Sequence, residues 1–275
     1  MPLWTQTWFS PLYAASQRVL RQVRRGCARS TFLTASGSET RAVLEALTNA
    51  LQALVASRVP ESLAPHLAGA CLFALNKEDG DIRPVAVGES LRRLASKCLC
   101  AAVKNEVADY LKPLQVGVAC PLGAESLVRV FTQYMSRHAA PGDKVVLTVD
   151  FSNAFNTVDR KSFLQECVCH APGKAKWAWW CYSQPSTLHH EDQGPLSSPG
   201  GVQQGHNLGP LIFALALQPT LEKIAALRGE RGLDLVAAYL DDVVLAGDAA
   251  TVLEALHILQ EARPSFGTGA QTFQV

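Results

Sequence analysis

No stretch of the chain stays apolar for anything near the ~18 consecutive residues a membrane-spanning helix needs, although 48% of its 275 residues are hydrophobic. The amino terminus, MPLWTQTWFSPLY, lacks a basic region followed by an apolar stretch, so no secretory leader is expected. Repeats and low-complexity segments are missing, which removes solenoid and linker architectures. Net charge is nearly missing too: 25 basic residues offset 24 acidic ones to leave +1. Nor is there a disulfide framework. The eight cysteines (Cys27, Cys71, Cys98, Cys100, Cys120, Cys167, Cys169, Cys181) stand mostly in apolar surroundings and read as reduced core thiols. The C-x-C-H-x10-C set of Cys167, Cys169, His170 and Cys181 matches none of the usual structural zinc spacings. These absences leave an intracellular, soluble globular chain with no membrane partner, its content sufficient for one large core or two modest ones. They do not separate nucleus from cytoplasm.

Charge is informative by its distribution. Arg18, Arg21, Arg24, Arg25 and Arg29 fall within twelve residues without an acid, and Arg92, Arg93, Lys97 and Lys104 recur along a helix-like stretch. Such clusters suit phosphate backbones, and equally an ordinary solvated helix face.

Apolar periodicity predicts helices over Glu39–Arg58, Glu89–Leu111 and Gly123–Arg137. Cys71–Leu75 and Ile82–Val87 read as short strands around the turn signal Glu78-Asp79-Gly80, and Gln115–Ala119 as extended. The second half begins with a strand over Lys144–Asp150 and the turn-prone Ser152-Asn153. Helices follow over Arg160–His170 and Lys174–Tyr182, then extended pieces around Ser186–Asp192. Asn207 can cap a helix through Leu208–Arg228, with Pro210 in the first turn, where a missing N–H costs least. A hairpin over 234–247 and a helix over Ala249–Glu261 complete an α+β layer of antiparallel strands backed by helices on one face.

Three carboxylates punctuate these strands. Asp241 and Asp242 sit between the β-prone runs Leu235–Leu240 and Val243–Ala246, and Asp150 closes the run Val145–Val149. Acids at a hairpin tip and a neighbouring strand end can converge to hold two metal ions, as phosphoryl or nucleotidyl transfer requires. Aspartate is also a common turn residue because its side chain bonds nearby backbone.

VDFSNAFNTVDR (Val149–Arg160), GVQQGHNLGPLIFAL (Gly201–Leu215) and AYLDDVVLAGD (Ala238–Asp248) resemble, in order and spacing, three palm motifs of reverse transcriptases. NKEDGDIRPVAV (Asn76–Val87) resembles their fingers segment, and the style is that of non-long-terminal-repeat (LINE-like) retrotransposons. The resemblance covers about residues 70 to 250. It implies right-hand polymerase architecture: an N-terminal helical extension over 1–68, a fingers-like region over 69–143, a palm-like catalytic region over 144–262 and an irregular tail over 263–275. It implies an RNA-directed DNA polymerase that adds deoxynucleotides (dNTPs) to a DNA or RNA primer on an RNA template, with two Mg2+ ions, or Mn2+. Asp150 and Asp241 match the principal metal-ligand positions and Asp242 the assisting one. Phe155 matches an aromatic beneath the incoming sugar, where a ring collides with a 2' hydroxyl. RNA-copying viral RNA polymerases commonly place a second aspartate at that spacing. Gln204 and Gly205 match a Gln-Gly pair near nucleotide and template. Lys77 and Arg83 match the fingers cations, suited to triphosphate oxygens as point charge and fork.

The chain departs from the pattern in places. His206-Asn207 stands where the family usually continues Asp-Pro, and Asn156 replaces a common aspartate. Beyond Glu261 no Gly/Lys-containing segment is recognisable, so a thumb is expected to be missing or incomplete. Endonuclease and ribonuclease H modules do not fit the length. Two functions stay open, a reverse transcriptase domain from a retroelement and a catalytically inactive relic or RNA-binding scaffold. An RNA-dependent RNA polymerase is opposed mainly by Phe155. Protein partners are not specified.

Overall fold

The structure is a computed structural model that describes residues 38–56, 58–76, 80, 82–138, 142, 144–151, 153–190, 194–229, 232–262 and 271–274. The Arg18–Arg29 cluster, Cys27 and Lys77 lie outside these residues. In chain order the elements are α1 (Ser38–Val55), α2 (Ala64–Leu67), β1 (Ala70–Asn76), β2 (Ile82–Gly88), α3 (Ser90–Leu111), α4 (Gly123–Arg137), β3 (Lys144–Phe151), α5 (Ala154–Thr157), α6 (Arg160–His170), α7 (Pro172–Tyr182), β4 (Ser186–His190), β5 (Gly194–Ser198), α8 (Gly209–Ala225), β6 (Leu233–Tyr239), β7 (Asp242–Asp248), α9 (Ala249–Glu261) and β8 (Gln271–Gln274). They form two units, one from Met1–Glu106 with Leu164–Gly209 and the other from Val107–Phe163 with Pro210–Val275.

The first unit holds a four-stranded sheet in the order β2-β1-β4-β5. β1 and β2 pair antiparallel from Ala70 opposite Gly88 to Asn76 opposite Ile82, and β4 and β5 form a second hairpin. A parallel contact, Ala70 with Leu188 and Cys71 with His189, joins the two hairpins. No local pattern announces that pairing, because its register depends on residues more than a hundred positions apart. Ala95, Leu99 and Val103 repeat every four residues on the buried stripe of α3, as an amphipathic helix requires. On α7, Trp177 stacks on Trp180 with ring centroids 5.2 Å apart.

The second unit carries the sheet β6-β7-β3-β8, whose three pairings are all antiparallel. In β3, Leu147, Val149 and Phe151 point inward on alternate positions, and this period of two fixes which face the intervening residues take. α9 buries Thr251, Val252, Ala255 and Leu259 and lies against β3 and β7. α8 is apolar around most of its circumference, with Leu211 through Leu217 all buried, the mark of a core helix. Residues 271–274, assigned to an irregular tail from the sequence, form β8 and extend the sheet from Phe151 opposite Gln271 to Thr148 opposite Gln274. Four residues are too few to show a period, so this strand is supplied by its partner. Among the described residues no helix is long and apolar enough to cross a membrane.

Candidate active site

β3 and β7 bring two of the three aspartates together. Asp150 and Asp242 are directly opposed in the ladder, so both side chains leave the same face, with Cβ atoms roughly 4.5–5.5 Å apart in such pairs. Both residues are exposed. Partial burial, and then the charge of Asp150, raise the pKa of Asp242. Neither carboxylate meets a cation among the described residues. Asp241 is half-buried in the turn next to Asp242.

That turn is tight. Tyr239 pairs with Asp242, which leaves only Leu240 and Asp241 to reverse the chain. Two-residue hairpin turns that match strand twist need positive φ at their first central residue. Leu240 supplies it at φ 58°, a left-handed conformation that costs a β-carbon residue ~1–2 kcal/mol. The segment before α4 lies alongside. Gln115 is fully buried; its Nε2 donates to Leu240 O at 3.0 Å, and Leu240 N donates to its Oε1 at 2.8 Å. The backbone adds Ala238 N to Leu114 O at 2.7 Å and Val116 N to Ala238 O at 2.8 Å.

Phe155 is half-buried on α5, its ring 5.1 Å from that of the fully buried Phe213 and inclined at 30°. It is not an enclosed core side chain, and part of its surface remains open. Asn153, with φ 56°, makes the left-handed turn that starts α5.

The remaining candidates belong to the first unit. Arg83 is exposed on β2. Gln204 O accepts the Ala86 N–H at 2.8 Å, tying the Gln204-Gly205 turn to the same strand. Gly205 has φ +98°, and a Cβ there would stand 2.7 Å from Ala86 O, so both conformation and clearance exclude a larger residue. Lys77 is outside the described residues.

Three sequence expectations change. Of the cysteines read as core thiols, Cys98, Cys167 and Cys181 are buried, but Cys71 and Cys169 are exposed, because each sits on the solvent side of its strand or helix. Arg92, grouped with the phosphate-facing cations of α3, is only 2% exposed: its Nη1 donates to Ala68 O at 2.8 Å and to Gln203 Oε1 at 2.5 Å, while Arg93, Lys97 and Lys104 are exposed. Arg92 lies on the same face of α3 as the buried Ala95, Ser96 and Leu99, and backbone carbonyls there need a donor. Asn207 is not the start of its helix either. α8 begins at Gly209, whose N–H donates to His206 O at 2.8 Å, and Asn207 O takes the Cys100 thiol.

His206 is a buried hub. Its Nε2 stands 2.7 Å from Ser96 Oγ and its Nδ1 2.6 Å from Tyr182 Oη, and the Trp177 indole N–H donates to the same Ser96 oxygen at 2.9 Å. Burial, followed by the charge of Arg92, holds its pKa well below the usual imidazole value. Below pH ~6.5 the unfolded chain takes up a proton that the folded chain refuses, so folding stability is full above that pH and falls as acid is added. Urea midpoints at pH 7 and pH 5 are expected to show this loss. A His206→Gln chain, which has no such proton to bind, is expected to lose that part of the slope.

The antiparallel sheet with acids at one end and helices behind it is the palm arrangement of right-hand polymerases. The chain belongs to the reverse transcriptase (RNA-dependent DNA polymerase) family, whose profile matches residues 75–265. It is 24% identical over 220 residues to the retrotransposable element SLACS 132 kDa protein of Trypanosoma brucei gambiense, covering 78% of this chain and 18% of that protein. Its fold is similar to telomerase from Candida albicans in complex with a TWJ fragment of telomeric RNA, with TM-score 0.57 and 10% identity over 79% of this chain and 44% of that one. Apo telomerase from Candida tropicalis, truncated from its C-terminal domain, gives TM-score 0.54 and 12% identity over 77% and 51%. The chain thus spans 18% of the curated relative and about half or less of the telomerase chains.

Among the described residues no group of three or more His, Cys, Asp or Glu side chains is placed so that it could hold a metal ion, so Asp150, Asp241 and Asp242 do not converge as a triad here. Asp150 and Asp242 form an open acidic pair instead, and the donor type fits magnesium. That ion is hard, keeps several waters and takes one or two carboxylates together with substrate phosphates. Gln115 and Lys174 were not singled out from the sequence. The available signal for Gln115 was an amide inside the otherwise apolar run Leu114–Val118, with a glycine two residues on.

Proposed function

We propose that this chain is the polymerase part of a retroelement protein and copies RNA into DNA by adding dNTPs to a primer 3' hydroxyl. The observation that carries the reading is the opposition of Asp150 and Asp242 across β3 and β7, beside the Asp241 turn, in a reverse transcriptase family member. Residues 69–143 serve as fingers and 144–262 as palm. Asp150 and Asp241, assisted by Asp242, would hold two Mg2+ ions. When bound, such a pair stabilises the attacking and leaving oxygens of an in-line displacement. The carboxylates' part is to present hard negative oxygens from rigid strand ends, at a face their mutual repulsion leaves ready for cations. Arg83 offers triphosphate oxygens a bidentate fork, and Lys77 a point charge. Gln204 and Gly205 bring backbone close to the nucleotide. Template and primer are gripped through phosphates, so affinity falls as salt rises.

Phe155, backed by Phe213, is the sugar gate. Its rejection of ribonucleotides rests on a clash with the 2' hydroxyl. Phe155→Ala is expected to lower the preference for dNTPs over ribonucleotides by ~10- to 100-fold, read from single-nucleotide incorporation. An unchanged preference would remove the gate.

The deciding measurement is extension of a primer annealed to RNA, with magnesium and dNTPs, by the full chain beside an Asp241→Asn variant. Extension by the first alone supports the polymerase. Identical backgrounds from both would leave an RNA-binding scaffold that keeps the palm.

A further inference from the structure

We infer that Gln115 is the positioning residue of the aspartate turn: its side-chain amide holds both the N–H and the C=O of Leu240 and so sets the placement of Asp241. The inference rests on the polymerase reading above for its consequence in catalysis, but its structural content stands alone.

A primary amide presents one donor and one acceptor side by side, and so does the backbone of a single residue. Gln115 uses both on one residue, donating Nε2–H to Leu240 O at 3.0 Å and accepting Leu240 N–H at Oε1 at 2.8 Å. The same Oε1 accepts Gly117 N–H at 3.0 Å, which fixes the amide against its own backbone. The side chain is fully buried, so water cannot replace these bonds without the turn opening. Gly117 belongs to the device. A Cβ there would lie 2.6 Å from Leu240 N and 2.8 Å from Leu240 Cγ, so only glycine lets the clamp approach.

Leu240 needs such a clamp because its φ of 58° is one that leucine adopts only where its surroundings over-determine it. Released, it returns toward negative φ and the peptide joining it to Asp241 rotates. The aspartate then leaves its place while the sheet behind it persists, held by the ladder from Asp150 opposite Asp242 to Lys144 opposite Asp248. The predicted signature is therefore a loss of turnover without a matching loss of binding or of fold.

The experiment uses the full chain, Gln115→Met, Leu240→Gly and the double variant. Hydrogen exchange reads the clamp directly: the Leu240 amide is expected to exchange ~10- to 100-fold faster in Gln115→Met, with the α9 amides unchanged. In primer extension, kcat is expected to fall ~10- to 100-fold with KM for the primer–template within about twofold. Glycine at 240 accepts positive φ without strain, so Gln115→Met is expected to cost less than about fivefold in the Leu240→Gly background, a non-additivity that a merely structural core glutamine does not produce. If Gln115→Met does not fold, Gln115→Asn replaces it, neutral and with both hydrogen-bonding groups kept but one methylene short of Leu240. Unchanged Leu240 exchange, unchanged kcat or equal losses in both backgrounds would overturn the inference. A full chain that extends no primer sinks the polymerase reading instead, and exchange at Leu240 still decides whether Gln115 holds the turn.

Discussion

Primer extension is expected to fall by about a thousandfold or more in Asp150→Asn and in Asp241→Asn, while the melting temperature of Asp150→Asn stays level or rises slightly. Asparagine keeps the size of aspartate and its hydrogen-bonding oxygen, so neither strand register nor turn length changes. What is lost is one negative charge at the point where cations must collect. A thousandfold corresponds to about 4 kcal/mol of transition-state stabilisation, within the range that charge stabilisation by a bound metal supplies. The absence of a stability penalty follows from the geometry. Asp150 faces Asp242 in register, and its charge helps to raise the pKa of that neighbour. Removing it relieves a like-charge contact on an exposed face, the opposite of what happens when a paired carboxylate is deleted. Asp242→Asn is expected to be milder, because its motif position assists rather than leads. Parallel measurement of extension and thermal melting checks the pattern. Activity and melting temperature falling together in Asp150→Asn would make that aspartate an ordinary fold residue, and unchanged extension would remove the aspartates from the site.

The elements that were legible in the sequence are those whose signal is local. α4, α6 and α9 span the predicted residues because each combines a helical period with a break at its start, such as Pro121-Leu122-Gly123 before α4. The β6–β7 hairpin was visible because apolar runs flank Asp241-Asp242. The parallel contact of β1 with β4 was not, since neither strand carries information about a partner so distant. Site residues divide the same way. The aspartates, Phe155 and Gly205 stand in motifs, so their spacing pointed to them. His206 did not reveal its part, because a histidine in a turn looks the same whether it faces solvent or joins Ser96 to Tyr182. Arg92 misled for a related reason. A cation among cations on one helix gives no sign of which member turns inward, and only the fold places it against Ala68 O and Gln203.

Lys174 was equally silent, and it carries the second large effect: Lys174→Met is expected to stabilise the chain by about 3 kcal/mol at pH 7. The side chain is fully buried in the first turn of α7, and Nζ has no hydrogen-bond partner among the described residues. A helix amino terminus is itself an unfavourable place for a cation. Burial, only partly offset by Cys167, Cys100 and Glu106, brings its pKa down from 10.5 to about 8. The neighbouring thiols do not supply a counter-charge near neutrality, because burial pushes Cys167 up to about 11 and raises Cys100 as well.

The sign follows from proton counting. Below pH ~8 both folded and unfolded chains hold the proton, and the folded state bears the whole cost, about 3 kcal/mol at 1.36 kcal/mol per pKa unit. Between pH ~8 and ~10.5 the folded chain has released it and the unfolded chain has not, so stability rises with pH across this window. Methionine has similar reach, no charge and no unmet hydrogen bond, so the variant is expected to melt about 5–10 °C higher at neutral pH. Its advantage should shrink steadily from pH 8 to pH 10. Urea unfolding of both chains at pH 7, 9 and 10 reads the convergence, and polymerase activity at pH 7 is expected to stay unchanged. A methionine chain less stable at pH 7, or an advantage that does not narrow with pH, would mean that Lys174 is a paired and stabilising charge.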